Sequence, residues 1–327
     1  MEQEKYSRRK FIQLSSLSGA GIACTLSWPF LKVHSLTATA GKPAAEPVID
    51  IHQHTHYLSR TDDELMAHQR AMGVTTTVLL PAGHPVEYGS TYYGVGNGLQ
   101  AEATGNEDCY GLAQKYPKEL LFGANEVPDV PNAIAEIEKY LKLGAPIIGE
   151  CKFGVECDSP EMQKIYALAQ SYNVPILMHW QYNMYNRGFE RFYKMLEKYP
   201  KVNFIGHSQT WWANIDKNFK NENELYPKTK VTPGGLTDRL LRDYPNMYGD
   251  LSAPSGLNAI MRDEDHMRAF FDRHQDKLVF GSDCTDKVGE GKTCAGSQII
   301  AGVRRLASSK KIERKILYEN AKRLLRL

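Results

Sequence analysis

His52 and His54, separated by one residue, end the apolar segment Val48-Ile49-Asp50-Ile51. Side chains alternate along a strand, so Asp50, His52 and His54 are expected on one face, with Ile49 and Ile51 on the other. Imidazole is the commonest protein ligand for zinc and similar divalent ions. The pair is half of a metal site, and later apolar runs end in groups that could supply the rest. Ile147-Ile148-Gly149 ends in Glu150, Pro175–Met178 in His179, Val202–Gly206 in His207, and Leu278–Ser282 in Asp283. A lone histidine after a strand is usually structural. Four of the chain's ten histidines at such positions, with two carboxylates, call for a fold that brings strand ends together.

The apolar runs supply that fold. They span Val48–His52, Val74–Leu80, Leu120–Asn125, Pro146–Glu150, Val174–His179, Val202–His207, Met247–Leu251 and Leu278–Asp283. They are rich in Val, Ile and Leu without polar alternation, as strands buried on both faces of a parallel sheet are. Helical stretches lie between them. Thr61-Asp62-Asp63-Glu64 opens one with cap chemistry and Gly73 closes it; Asn132–Leu143 ends at Gly144; Ser159-Pro160 starts another. Gly188–Tyr199, Leu236–Asp243, Asn258–His274, Gln298–Ala307 and a basic amphipathic segment, Ile312–Leu327, complete the set. The order predicts an α/β fold, a single-domain (β/α)8 TIM barrel over residues 46–327 with all strand C-termini on one face. Two long insertions, Pro81–Gly98 and Ser208–Gly235, follow strands and belong to that face.

Residues 1–40 read differently. Ser7-Arg8-Arg9-Lys10-Phe11-Ile12-Gln13 is similar to the twin-arginine export consensus, a weakly apolar stretch follows, and Ala38-Thr39-Ala40 offers a cleavage site. The apolar stretch is too short and broken for a stable membrane span of about 20 residues. The expectation is a signal peptide, the export machinery as a partner, and a periplasmic or extracytoplasmic protein. The lesser alternative, lipidation at Cys24, meets Gly21 where such sites favour leucine. The formal net charge of +2 implies no nucleic-acid or acidic-membrane partner. The remaining cysteines, Cys109, Cys151, Cys157, Cys284 and Cys294, form neither a CxxC motif nor a disulfide framework, and any pairing is left open.

Asp-x-His-x-His on the first strand, His on the fifth and sixth, and Asp on the eighth resemble the amidohydrolase superfamily. The details are similar to the branch holding aminocarboxymuconate-semialdehyde decarboxylase, related aromatic-acid decarboxylases, and pyrone-dicarboxylate and sugar-acid lactonases. Gly73-Val74-Thr75-Thr76, Gly281-Ser282-Asp283 and Ile316–Leu324 add to the resemblance, which covers residues 46–327. It implies a metal-dependent enzyme in which His52, His54, His179 and Asp283 hold one divalent ion, usually zinc. His207 then matches the unligated histidine that activates or orients water. Glu150 departs from that pattern. It opens a two-metal alternative in which it bridges the ions and His179 and His207 hold the second. Barrels of this branch often form homodimers, but no segment marks an interface.

A bound divalent ion lowers the pKa of water from about 15.7 toward 7 and polarises a substrate oxygen. Asp283 could then take the water's proton and deliver it to a leaving group, with His207 stabilising the oxyanion or sharing the base role. That suffices to hydrolyse a lactone, ester or amide of a small, cyclic or sugar-acid substrate. The alternative is non-oxidative decarboxylation of a carboxylated ring or muconate-like acid, which uses the same polarisation and needs a proton donor. Trp211 and Trp212 are candidates for an aromatic wall, and Arg187 and Lys152 for a clamp on a substrate carboxylate. Tyr92-Tyr93 is a candidate lid.

Overall fold

The computed structural model describes residues 46–91 and 102–327. The expected export segment, Cys24 and the candidate lid at Tyr92-Tyr93 lie outside the described residues. Among the described residues, eight strands form where the apolar runs stand: β1 (Ile49–Gln53), β2 (Thr76–Leu79), β3 (Leu120–Phe122), β4 (Ile148–Cys151), β5 (Ile176–His179), β6 (Phe204–His207), β7 (Met247–Asp250) and β8 (Leu278–Val279). All ladders are parallel, in the orders β1-β2-β3 and β4-β5-β6-β7-β8. Main-chain hydrogen bonds join the two groups. Ala124 N donates to Ile147 O and Gly149 N to Ala124 O, while Ile51 N donates to Phe280 O and Asp283 N to His52 O. This α/β arrangement is consistent with the expected eight-stranded barrel.

Between the strands lie α1 (Asp62–Ala71), α2 (Asn106–Lys115), α3 (Ala133–Lys142), α4 (Pro160–Tyr172), α5 (Tyr193–Lys198), α6 (Gln209–Ala213), α7 (Leu236–Asp243), α8 (Ala253–Arg262) and α9 (Glu264–His274). After β8 come α10 (Ala295–Leu306), α11 (Lys310–Arg314) and α12 (Asn320–Leu325). Thr61 and Glu64 form the capping box of α1, and Ser159 caps α4 ahead of Pro160. Such caps supply partners for helix N–H groups that lack one within the helix.

Several boundaries differ from expectation. Asn258–His274 is two helices, because Asp263 leaves helical geometry and its carboxylate caps α9 at His266 N. Gly188–Tyr199 divides into a short 3-10 turn and α5, and Ile312–Leu327 is α11 and α12 joined by a π turn at Lys315–Glu319. Helix α2 was not anticipated.

Ile49, Ile51, Val78, Leu80, Ile147, Leu177, Ile205 and Val279 form one buried cluster with Ala321, Leu324 and Leu325 of α12. Apolar strand residues thus pack on the C-terminal helix. A larger cluster fills the space between strands and surrounding helices. Just after their strands, Ser208 (φ 82°), Ala253 (φ 65°) and Asp283 (φ 41°) take left-handed backbone turns beside the polar strand ends.

Candidate metal centre

Strand β1 carries an extra residue between Asp50 and Gln53 relative to β2. A bulge of this kind interrupts strict alternation, and the Asp50 carboxylate bonds Ser282 rather than the groups that His52 and His54 face. Asp50 accepts from Ser282 N at 2.8 Å and bonds the Ser282 hydroxyl, which Gln53 Nε2 also reaches at 2.9 Å. Asp50 and Gln53 fasten β1 to the segment ending in Asp283, while His52 and His54 turn to the other strand ends. Burial pushes the Asp50 carboxyl up to about 6, against the hydrogen bonds from Ser282 and His52.

Each histidine of the pair is oriented through Nδ1. His52 Nδ1 lies 2.8 Å from Asp250 Oδ2, and His54 Nδ1 lies 2.7 Å from Leu80 O. A carbonyl can only accept, so His54 carries a proton on Nδ1, and Nε2 is the atom it turns toward the other groups. The two Nε2 atoms face each other at 3.2 Å. Glu150 Oε2 lies 3.4 Å from His54 Nε2 and 3.6 Å from His52 Nε2. Asp283 Oδ1 lies 3.6 and 3.9 Å from the same two nitrogens.

The opposite oxygen of Glu150 meets the other two histidines. Its Oε1 lies 2.5 Å from His179 Nδ1 and 3.7 Å from His207 Nε2. His179 Nε2 is engaged by Ser208 Oγ at 2.9 Å. His207 is held through Nδ1, 2.9 Å from Ser252 Oγ and 3.2 Å from Asp250 Oδ2. Its Nε2 lies 3.5 Å from Asp283 Oδ2 and has no hydrogen-bond partner among the described residues; neither has Asp283 Oδ1.

The electrostatics follow from packing unlike charges in a dry place. Burial alone would raise Glu150, but the hydrogen bonds from His179, His52 and His54 hold it well below the usual carboxylate range. Burial would likewise raise Asp283, and His52 and His207 bring it far down although Glu150 opposes them. Asp250 is lowered to about 2, its burial outweighed by hydrogen bonds from His207 and His52. Burial disfavours a charged His52, yet Asp283, Asp250 and Glu150 raise it well above the ordinary imidazole value. His207 is raised too: burial and the His52 charge are outweighed by Asp250 and Asp283. Burial takes His179 down to about 4 despite Glu150.

These features fit a divalent cation. Ligand atoms on a tetrahedral ion with bonds of about 2.1 Å stand about 3.4 Å apart. The His52 and His54 Nε2 atoms stand 3.2 Å apart, and each lies 3.4 to 3.9 Å from Glu150 Oε2 and from Asp283 Oδ1. Two imidazole nitrogens with no proton between them repel at such a distance. Either a proton or a shared cation must intervene, and the raised His52 value is the proton's version of that requirement. The resemblance assigned a ligand role to His179, but both its nitrogens are turned elsewhere, to Glu150 and Ser208. Glu150 Oε2 stands beside the His52 and His54 nitrogens instead.

A cavity of about 250 Å³ opens over these groups, lined by Tyr57, Lys152, His179, His207, Gln209, Tyr226, Asp283, Thr285 and Thr293 among others. Lys152 is in it, its ammonium 5.3 Å from the Tyr185 ring centroid. The other expected substrate contacts are elsewhere. Trp211 and Trp212 are buried in α6 rather than forming a wall. Trp211 packs edge-on against Phe189 and over Gly206, and Trp212 Nε1 donates to Asp250 O at 2.9 Å. The tryptophans set the backs of β6 and β7. Arg187 is spent on Glu156 at 2.7 Å and Gly154 O at 2.8 Å and does not line this cavity.

Comparison with known proteins bears on this site. The family model described as Amidohydrolase matches residues 49–327. The chain belongs to the amidohydrolase family. No curated protein sequence matches it. Its fold is similar to a TIM-barrel protein from Bordetella bronchiseptica (16% identity, TM-score 0.57, covering 86% of this chain and 98% of that one). It is also similar to a 2,6-dihydroxybenzoate decarboxylase from Rhizobium (14%, 0.54, 86% and 99%). A probable 2-pyrone-4,6-dicarboxylic acid hydrolase from Acinetobacter baumannii, solved with citric acid bound, is similar as well (15%, 0.51, 86% and 99%). At these identities the likeness is one of fold.

In this amidohydrolase, sequence reasoning passed over Asp250, Ser252 and Ser208. Asp250 ends β7 as Glu150, His179 and His207 end or nearly end their strands, so the same strand-end rule could have found it. The two serines carry no comparable signal, since their roles depend on the turns that follow β6 and β7.

Proposed function

We propose that this amidohydrolase is a metal-dependent hydrolase of a small lactone, ester or amide, with His52, His54, Glu150 and Asp283 holding one divalent ion. Zinc suits a set of two imidazoles and two carboxylates. The ion, when bound, supplies a water of lowered pKa and a positive charge for the substrate's carbonyl oxygen. The observation that carries the reading is His207: Nδ1 is fixed by Asp250 and Ser252, and Nε2 faces Asp283 Oδ2 at 3.5 Å without a hydrogen-bond partner among the described residues. An imidazole so held can receive a proton at Nε2 from an attacking water and hand it, by way of Asp283 Oδ2, to the leaving group. His179 clamps Glu150. Lys152 lines the cavity and suits a substrate carrying a carboxylate.

Glu150 also supports a two-ion version, because each of its oxygens faces a different pair of histidines. The decarboxylase alternative rests on the fold likeness to such enzymes and on the same cation near Lys152. A screen of lactones, esters, amides and aromatic acids on metal-loaded protein separates the readings. Hydrolysis products with no carbon dioxide support the hydrolase, and carbon dioxide release overturns it. Export of the folded protein under the direction of residues 1–40 belongs to the same proposal on sequence grounds. A reporter fused behind residues 1–40 that stays in the cytoplasm would refute it.

A further inference from the structure

His68, Cys284 and Cys294 come together beside the strand ends, apart from the centre described above. All three are buried, and their ligand-type atoms lie within 4.8 Å of one another. Cys284 Sγ is 3.8 Å from Cys294 Sγ, and Cys294 Sγ is 3.4 Å from His68 Nε2. The thioether of Met72, one turn beyond His68, is 3.5 Å from Cys294 Sγ. Sequence spacing conceals this group, because the cysteines are ten residues apart and the histidine lies on α1.

We infer that His68, Cys284 and Cys294 form a second metal site, for a thiophilic d10 ion such as zinc or copper(I), with Met72 as a further soft neighbour. The spacings carry the inference. Metal–sulfur bonds of about 2.3 Å in a tetrahedron put two sulfurs about 3.8 Å apart, and a sulfur and an imidazole nitrogen about 3.6 Å apart. The observed 3.8 and 3.4 Å follow that pattern, whereas bonded sulfurs in a disulfide stand about 2.05 Å apart. Thiolate, thioether and imidazole together select zinc or copper(I) over the hard ions that prefer oxygen ligands. Binding displaces the two thiol protons to solvent, and with a divalent ion the two thiolates leave the buried cluster neutral.

The placement gives the site a purpose. His68 and Met72 belong to the end of α1, Cys294 caps α10, and Cys284 directly follows Asp283. Arg60 and Gln53 bond the Cys284 carbonyl at 2.8 and 3.0 Å. An ion there would tie α1 and α10 to the turn that presents Asp283 to the catalytic cavity, making the residues positioning rather than catalytic.

Reconstitution of reduced, full-length protein with cobalt(II) tests this. Cobalt bound to thiolate gives a ligand-to-metal charge-transfer absorption that histidine and carboxylate ligands do not. The expected result is that absorption in wild type, its retention in His52→Asn/His54→Asn, and its loss in Cys294→Ser with about one ion per chain fewer. Should Cys294→Ser fail to fold, His68→Gln, which keeps both thiols, must weaken cobalt binding and shift the band. Absence of the band in folded wild type overturns the proposal. So does a native mass showing Cys284 and Cys294 joined in a disulfide after purification without reductant.

Discussion

His52 Nδ1 lies 2.8 Å from Oδ2 of Asp250, and that contact decides which nitrogen His52 presents to the cavity. The same oxygen stands 3.2 Å from His207 Nδ1 and accepts from the Ser252 hydroxyl at 2.6 Å. One buried carboxylate therefore orients a proposed ligand and the proposed base together. An Asp250→Asn side chain keeps the shape but removes the charge and one acceptor. Outer-shell partners of this kind are worth about 10–100-fold in metal affinity or activity. The variant should fall by that order in zinc affinity, measured by competition with a chromophoric chelator, while remaining folded.

Acid should unfold the metal-free protein partly through Asp250. Its folded value, about 2, lies below its ordinary value of 3.8. The stabilisation is therefore fully present above pH 3.8 and is lost as pH falls from there toward 2. Urea unfolding across that window should show a shallower loss of stability in Asp250→Asn than in wild type.

Near neutrality, protons and the metal should compete for His52. Its value is raised well above the ordinary 6.5 in the ion-free protein by Asp283, Asp250 and Glu150, against its own burial. Metal binding must displace that proton, so affinity should rise about tenfold per pH unit for each proton released, until pH exceeds the folded value. Calorimetry in buffers of different ionisation enthalpy would count the protons. A pH-independent affinity around neutrality would contradict the assignment of His52 as a ligand.

The tryptophans of α6 should matter to stability rather than to substrate choice. A Cβ on Gly206 would come within 2.4 Å of the Trp211 ring. Gly206→Ala must therefore move Trp211 or the strand that carries His207, and overpacking of this kind costs about 1–3 kcal/mol. Denaturant titration should show a lowered midpoint with an unchanged slope.

The alternation of apolar runs and helices made the strand order readable, because buried parallel strands need long apolar runs and little else. The ends of those runs exposed His52, His54, Glu150, His179, His207 and Asp283 as a group. What escaped was decided by contacts across the sheet. The extra residue in β1 breaks the alternation between Asp50 and Gln53, and the sequence pattern alone shows no bulge. Trp211 and Trp212 read as a ligand wall because they follow His207, but a short helix turns them into the core. Arg187 looked available until Glu156, 31 residues earlier, proved to hold it. His68 and Cys294, 226 residues apart, had no local pattern to join them.

The most direct test is the metal content of the dialysed protein, loaded identically as wild type and as His52→Asn/His54→Asn. The proposed function predicts that the variant loses an ion that wild type retains and that hydrolytic activity disappears with it. Equal metal content in the two proteins, or full activity in the variant, would contradict a metal centre built on His52 and His54.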